Sequence, residues 1–188
     1  MEEAPSIHDY KEVIAITKDN VERLTALIQD LLHFNAELDS TTLGCIETEK
    51  LFKKITEDLS AAISKKNISL HIMGTTKING DRDLLERAFF NLIQNAVKYN
   101  KENGAMHIIS DGDTITIADT GIGIPEECLP LIFEPFYCVD KSRSRKLGGS
   151  GLGLSITKQI FDKHALALSV SSTLGAGTTF VIKRSARS

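Results

Sequence analysis

Between Lys50 and Lys183 the apolar residues change period several times, and this switching restricts the fold more than any single motif. Lys50–Ser64 reads as an amphipathic helix with Leu51, Phe52, Ile55, Leu59, Ala62 and Ile63 on one side. Ile68–Met73 alternates as a strand, and Lys77–Asn79 adds a short one. Asp81 is placed to cap a helix running to about Tyr99. Met106–Ser110 and Thr114–Ala118 flank Asp111-Gly112-Asp113, a strong hairpin signal. After a Gly-rich, charged loop region from Asp119 to Gly149, a helix is predicted from about Leu152 to His164. Strands Leu166–Ser171 and Thr178–Lys183 follow, on either side of the Gly175/Gly177 turn. Helices mixed with hairpin-connected strands predict an α+β two-layer sandwich rather than a doubly wound parallel sheet.

Before this lies a different pattern. Tyr10, Ile14, Thr17, Val21, Leu24, Ile28, Leu31, Asn35 and Leu38 form a heptad-like seam, which Val13, Leu27 and Leu32 widen toward a bundle-helix face. One long helix is therefore expected in residues 1–40, followed by a linker over Asp39–Gly44 and a second domain over 41–185. A helix with such a stripe requires a partner helix; the alternative is a core helix of the same domain. The 22 Lys+Arg and 25 Asp+Glu leave a formal charge of −3, which argues against nucleic acid as a partner. No apolar run approaches the roughly 20 residues of a membrane span, and the acidic start MEEAPSIHDY lacks the features of a signal peptide, so no membrane contact is expected of this segment. Cys45, Cys128 and Cys138 are too scattered for a metal or disulfide framework and fit a reducing cytoplasm.

Four clusters after residue 90 bear chemistry. In FNLIQNAVKYN, Asn91, Asn95 and Lys98 are spaced to share one helical face, while Leu92, Ile93, Ala96 and Val97 turn to the core. An amide oxygen suits Mg²⁺ and a lysine one turn on suits phosphate, although Asn and Lys on a helix face equally mark a solvated surface. In DTGIGIP, Asp119 follows the strand TITIA, where its carboxylate can accept from an adenine amine, and Gly121 and Gly123 permit close backbone approach. A plain turn has the same composition. GGSGLGLSI runs small residues into a helix start, a site for anions. It is preceded by Lys141, Arg143, Arg145 and Lys146, a basic loop suited to closing over polyphosphate. No βαβ unit surrounds it, so a dinucleotide fingerprint is excluded. LGAGTTF is a tight turn in which Thr178 or Thr179 can offer a hydroxyl.

In order and spacing the four clusters resemble the ATP-binding domain of the GHKL superfamily, and within it the sensor histidine kinases, nearest to phosphate-sensor-like and vancomycin-sensor types. Asn91/Asn95 match the N box, DTGIGIP the G1 box, FEPF (Phe133–Phe136) the F box, GGSGLGL the G2 box and GAGTTF the G3 region, over about residues 45–185. RLTALIQDLLHFNAEL resembles the second helix of the dimerisation and phosphotransfer hairpin. The resemblance implies the Bergerat fold, with a mixed, largely antiparallel sheet. It implies Mg-ATP as ligand, with Asn95 on the metal and Asn91 and Lys98 near the phosphates. Tyr99 would lie against adenine and Asp119 would accept from its amine. Further nucleotide contacts would come from Gly121, Gly123, Ile124, Lys141, Gly149, Ser150, Gly151, Leu152, Gly153, Leu154 and Thr178. GHKL hydrolases carry a glutamate where this chain has Asn91, which favours phosphoryl transfer to a protein over hydrolysis. The implied partners are a response regulator and a second copy joined through the hairpin helices, in the cytoplasmic portion of a membrane-anchored kinase.

Two departures qualify the match. His8 in IHDYK superficially resembles the acceptor motif, but only about fifteen residues separate it from Arg23, too few for a helix, turn and return. His8 is read as an ordinary residue, the chain as starting between the two hairpin helices, and His33, His71, His107 and His164 as lacking the acceptor context. This segment is therefore expected to bind nucleotide without phosphorylating itself. The family's Phe-Tyr-Arg after the F box is here Phe136-Tyr137-Cys138, so Arg143 or Arg145 would have to neutralise the transferred phosphoryl group. The competing readings are a GHKL serine kinase or ATPase, and a transfer-deficient regulatory module.

Overall fold

The computed structural model describes residues 10, 13, 14, 17, 21, 43–139 and 151–184. The chain divides into two compact units, Met1–Ala36 and Glu37–Ser188. In the first, Tyr10, Val13, Ile14, Thr17 and Val21 lie in helix, and the four apolar ones among them are more than half exposed. The Thr17 hydroxyl donates back to the Val13 carbonyl at 2.7 Å.

The second unit runs β1 (Leu43–Glu47), α1 (Thr48–Asp58), α2 (Ser60–Lys65), β2 (Ser69–Met73), β3 (Lys77–Asp81), α3 (Arg82–Lys98), β4 (Ala105–Asp111), β5 (Thr114–Asp119), a 3-10 turn (Glu126–Leu131), α4 (Gly153–Lys163), β6 (Leu166–Thr173) and β7 (Gly177–Arg184). Five strands form one sheet in the order β2-β4-β5-β7-β6, with β2 parallel to β4 and every other pair antiparallel. This is the mixed, largely antiparallel α+β arrangement expected. The DG turn closes the β4–β5 hairpin with Asp111 opposite Thr114 and Gly112 at φ +54°.

Alternation decides which sheet face is covered. Met106, Ile108, Ile115, Ile117, Phe180 and Ile182 are buried, and the residues between them are half-exposed. α3 packs against α1 and α4 over that face. Phe89 of α3 joins all three helices, meeting Phe52 edge-on at 5.1 Å and Phe161 at 5.0 Å.

The structure corrects three expectations. Leu43 and Gly44 belong not to a linker but to β1, which pairs antiparallel with β3; Asp39–Thr42 lie outside the described residues. A strand with one buried residue, Ile46, gives a weak alternation signal. The predicted Lys50–Ser64 helix breaks at Leu59, which ends α1 before α2 starts. The loop region after Asp119 contains a 3-10 turn around Pro130.

Candidate functional site

α3 begins where the sequence places its cap: the Asp81 carboxylate accepts from the amides of Asp83 (2.9 Å) and Leu84 (3.0 Å). With Leu92, Ile93, Ala96 and Val97 buried, Asn91, Asn95 and Lys98 are left half-exposed along one face. Tyr99 ends the helix, and the Lys98 ammonium sits 5.3 Å from its ring centroid. Burial pulls Lys98 below the usual lysine range, an effect opposed by the neighbouring Cys138 thiol.

At the end of β5, Asp119 carries a carboxyl that burial raises, offset in part by main-chain hydrogen bonds from Gly121 and Thr178. The Gly121 amide donates to Asp119 Oδ1 at 2.8 Å. Two glycines exist here because backbone passes backbone: a Cβ on Gly121 would lie 2.3 Å from the Tyr99 carbonyl oxygen, and one on Gly177 1.9 Å from that of Asp119. The Ile122 amide donates to the Tyr99 carbonyl at 3.0 Å, tying the DTGIGIP loop to the end of α3. Gly123 follows, and the Ile124 amide is held at 2.8 Å by the Ser172 hydroxyl, which itself meets the Gly177 carbonyl (2.7 Å) and the buried Thr178 hydroxyl (3.0 Å).

The glycine-rich motif reaches the same helix from its other end. Asn91 Nδ2 donates to the Gly153 carbonyl at 3.3 Å, so the start of α4 rests against the face that carries Asn95. Leu152 is the buried residue before α4, Leu154 is half-buried in its first turn, and the Gly151 carbonyl accepts from the Phe136 amide at 2.9 Å. The structure thus assembles Asn91, Lys98, Tyr99, Asp119, Gly121, Ile124, Gly151, Gly153 and Thr178, with Asn95 on the same helical face as Asn91 and Lys98, from segments far apart in sequence. Lys141, Arg143, Gly149 and Ser150 lie outside the described residues.

Several contributors escaped the sequence reading. Ser172 lies just beyond the predicted strand Leu166–Ser171; β6 extends to Thr173, and the half-buried register of Ser172 brings its hydroxyl to the Ile124 amide. Asn100 is buried, its amide donating to the Ala105 carbonyl (3.0 Å) and its oxygen accepting from Thr120, whose Oγ1 in turn accepts from the Ala105 amide at 2.8 Å. Lys66 falls between the predicted helix Lys50–Ser64 and the predicted strand Ile68–Met73 and belongs to no motif.

An amide oxygen, a lysine and glycine-lined main chain beside a half-buried carboxylate are chemically suited to a polyanion and to an amine donor. Among the described residues no group of three or more His, Cys, Asp or Glu could hold a metal. Mg²⁺ nevertheless fits, because it keeps several waters and needs few protein oxygens when phosphates supply the rest.

Residues 80–187 match the family model described as histidine kinase-, DNA gyrase B-, and HSP90-like ATPase. The chain is 36% identical over 168 residues to the phosphate regulon sensor protein PhoR of Pseudomonas aeruginosa, covering 84% of this chain and 38% of that protein. It is 32% identical over 185 residues to the sensor protein SrrB of Staphylococcus aureus, covering 93% and 32%. The chain therefore spans about a third of the length of these curated relatives. Among solved structures, full-length ShkA in complex with AMPPNP superposes with a TM-score of 0.75 at 25% identity, over 100% of this chain and 41% of that one.

Proposed function

The chain belongs to the histidine kinase-, DNA gyrase B- and HSP90-like ATPase family, with the ATP-binding catalytic domain of a sensor histidine kinase, and from that premise we propose how its own residues act. Asp119 accepts from the adenine amine and Tyr99 lies against the base. Asn91 and Lys98 approach the phosphates, while Gly121, Gly123, Ile124, Gly151, Leu152, Gly153, Leu154 and Thr178 contact the nucleotide, as do Lys141, Gly149 and Ser150, which lie outside the described residues. Asn95 supplies an oxygen to Mg²⁺, which when bound offsets charge on the β- and γ-phosphates.

In the whole protein, the proposed reaction moves the γ-phosphoryl group of ATP to a histidine and from there to an aspartate on a response regulator. Asn91 stands where a hydrolase needs a base and cannot take a proton from water, which supports transfer over hydrolysis. The acceptor is proposed to lie outside the described residues. His164 has both ring nitrogens engaged, Nε2 accepting from the Asp81 amide (3.0 Å) and Nδ1 meeting the Ile160 carbonyl (2.7 Å). His71 and His107 stack on each other at 4.9 Å on the sheet face away from the helices. Arg143 is assigned the charge that Cys138 does not carry. The exposed Tyr10, Val13, Ile14 and Val21 support pairing of the first helix with a second copy. Attachment of the whole protein to a membrane is part of the same proposal; among the described residues no helix is long and apolar enough to cross one.

The observation that carries this reading is the half-buried Asp119 carboxylate, held by the Gly121 amide beside the end of α3. Calorimetric titration with Mg-ATP should give saturable binding that Asp119→Asn and Asn95→Ala each weaken at least about tenfold. Equal affinity in wild type and both variants overturns the pocket. Incubation with ATP should leave no acid-labile phosphate on this chain.

A further inference from the structure

Lys66 stands between α2 and β2, outside every motif in the pocket. Its ammonium donates to three carbonyl oxygens at the end of α3: Val97 at 3.0 Å, Lys98 at 2.6 Å and Asn100 at 3.0 Å. Its own carbonyl accepts from the Asn103 amide at 2.9 Å, and the Asn67 side chain donates to Asn103 Oδ1 at 2.7 Å. The segment leaving α3 is therefore gripped by both the side chain and the main chain of this short connection. The last carbonyls of a helix lack intrahelical donors and carry the negative end of its dipole. A lysine ammonium, with three donors on one atom, can satisfy three of them from a single point.

The opposite side of this corner is the pocket wall. Tyr99, flanked by the captured carbonyls of Lys98 and Asn100, offers its own carbonyl to the Ile122 amide. Gly121 packs against that same oxygen, and its amide holds Asp119 Oδ1. A continuous path of hydrogen bonds and close contact thus runs from Lys66 through the end of α3 to the carboxylate proposed to read adenine. We infer that Lys66 is a positioning residue for the base-reading side of the nucleotide pocket. It touches no nucleotide; it sets the Tyr99 carbonyl, and through it the loop that presents Asp119. The inference rests on the ATP-binding reading above and adds a determinant of base recognition to it.

A cap that serves stability alone leaves the folded pocket unchanged, so base selectivity separates the two roles. Mg-ATP and Mg-GTP affinities are measured by calorimetry for wild type, Lys66→Met, Lys66→Gln and Lys66→Arg, each well below its own unfolding midpoint. Both neutral variants are made so that failure of one to fold leaves the other to decide. Positioning predicts ATP affinity about tenfold weaker in the neutral variants, a reduced ATP-over-GTP ratio, and recovery in Lys66→Arg to within about threefold of wild type. Altered amide shifts at Gly121 and Ile122 should accompany the loss. Wild-type affinity and an unchanged ATP-over-GTP ratio in a folded neutral variant overturn the inference. Absence of Mg-ATP binding by wild type itself would instead overturn the nucleotide-domain reading, and this inference with it.

Discussion

Asp119 serves two opposed demands. Reading an amine requires an ionised carboxylate, yet burial disfavours that form, and the main-chain hydrogen bonds from Gly121 and Thr178 compensate only in part. Its folded pKa lies above the unfolded value, so the stability it contributes is complete below the unfolded pKa of about 3.9 and is lost as pH rises through the higher folded value. At neutral pH the ionised group therefore burdens the nucleotide-free protein. Asp119→Asn relieves that burden and retains Oδ1 as acceptor for the Gly121 amide. Its thermal midpoint without nucleotide should exceed that of wild type near pH 7, and the gap should close on acidification through the raised pKa. Wild-type ATP affinity should fall over the same interval, with the Asp119→Asn titration correcting for protonation of the nucleotide itself. A midpoint for the variant at or below wild type at neutral pH contradicts this account. Lys98, pulled down by burial, lies beside the Tyr99 ring in a place suited to phosphate.

At the scale of elements, α3 is the spine of the core and also carries Asn91, Asn95 and Lys98 of the proposed nucleotide site. Phe89 is fully buried between Phe52 of α1 and Phe161 of α4, so truncation opens a cavity where three helices meet. Phe89→Ala should cost about 3–5 kcal/mol, a large share of the roughly 5–15 kcal/mol typical of a domain. Asp81→Ala removes the cap on two amides and should cost about 1 kcal/mol. Urea denaturation of both variants checks the ranking; equal losses would mean that the aromatic contacts do not hold the helices together. His164 adds a further tie, linking the end of α4 to the Asp81 amide at the start of α3, with Gly80 packed close against its ring. α3 and α4 are thus joined at a second point, away from Asn91 and Gly153.

At the scale of the molecule, the described helices cover one face of the sheet, and Glu37–Ser188 forms a compact unit of its own. A chain beginning at Glu37 should therefore fold cooperatively and bind Mg-ATP within about twofold of the whole chain's affinity. Circular dichroism melts and calorimetry check this; loss of cooperative unfolding would show that the first helix belongs to the domain core.

Much of this architecture was legible in advance because the rules involved act over a few residues. The period change located β4, β5, β6, β7, α3 and α4, the Asp-Gly turn set a hairpin register, and Asp81 marked a helix start. Spacing along α3 put Asn91, Asn95 and Lys98 on one face for the same reason. What the sequence left open depends on pairing across long separations. β1 has a single buried residue and is a strand because β3 lies beside it. β2 runs parallel to β4 because α3 intervenes between them. Lys66, Ser172 and Asn100 matter through bonds to main-chain groups, and any lysine, serine or asparagine can make such bonds wherever the fold brings a carbonyl or amide within reach. The sequence by itself therefore determined the local elements and the chemistry placed on each. Only the tertiary structure decided which carbonyls Lys66 captures and how Asp119 is presented, because those bonds join groups that are neighbours only once the chain has folded.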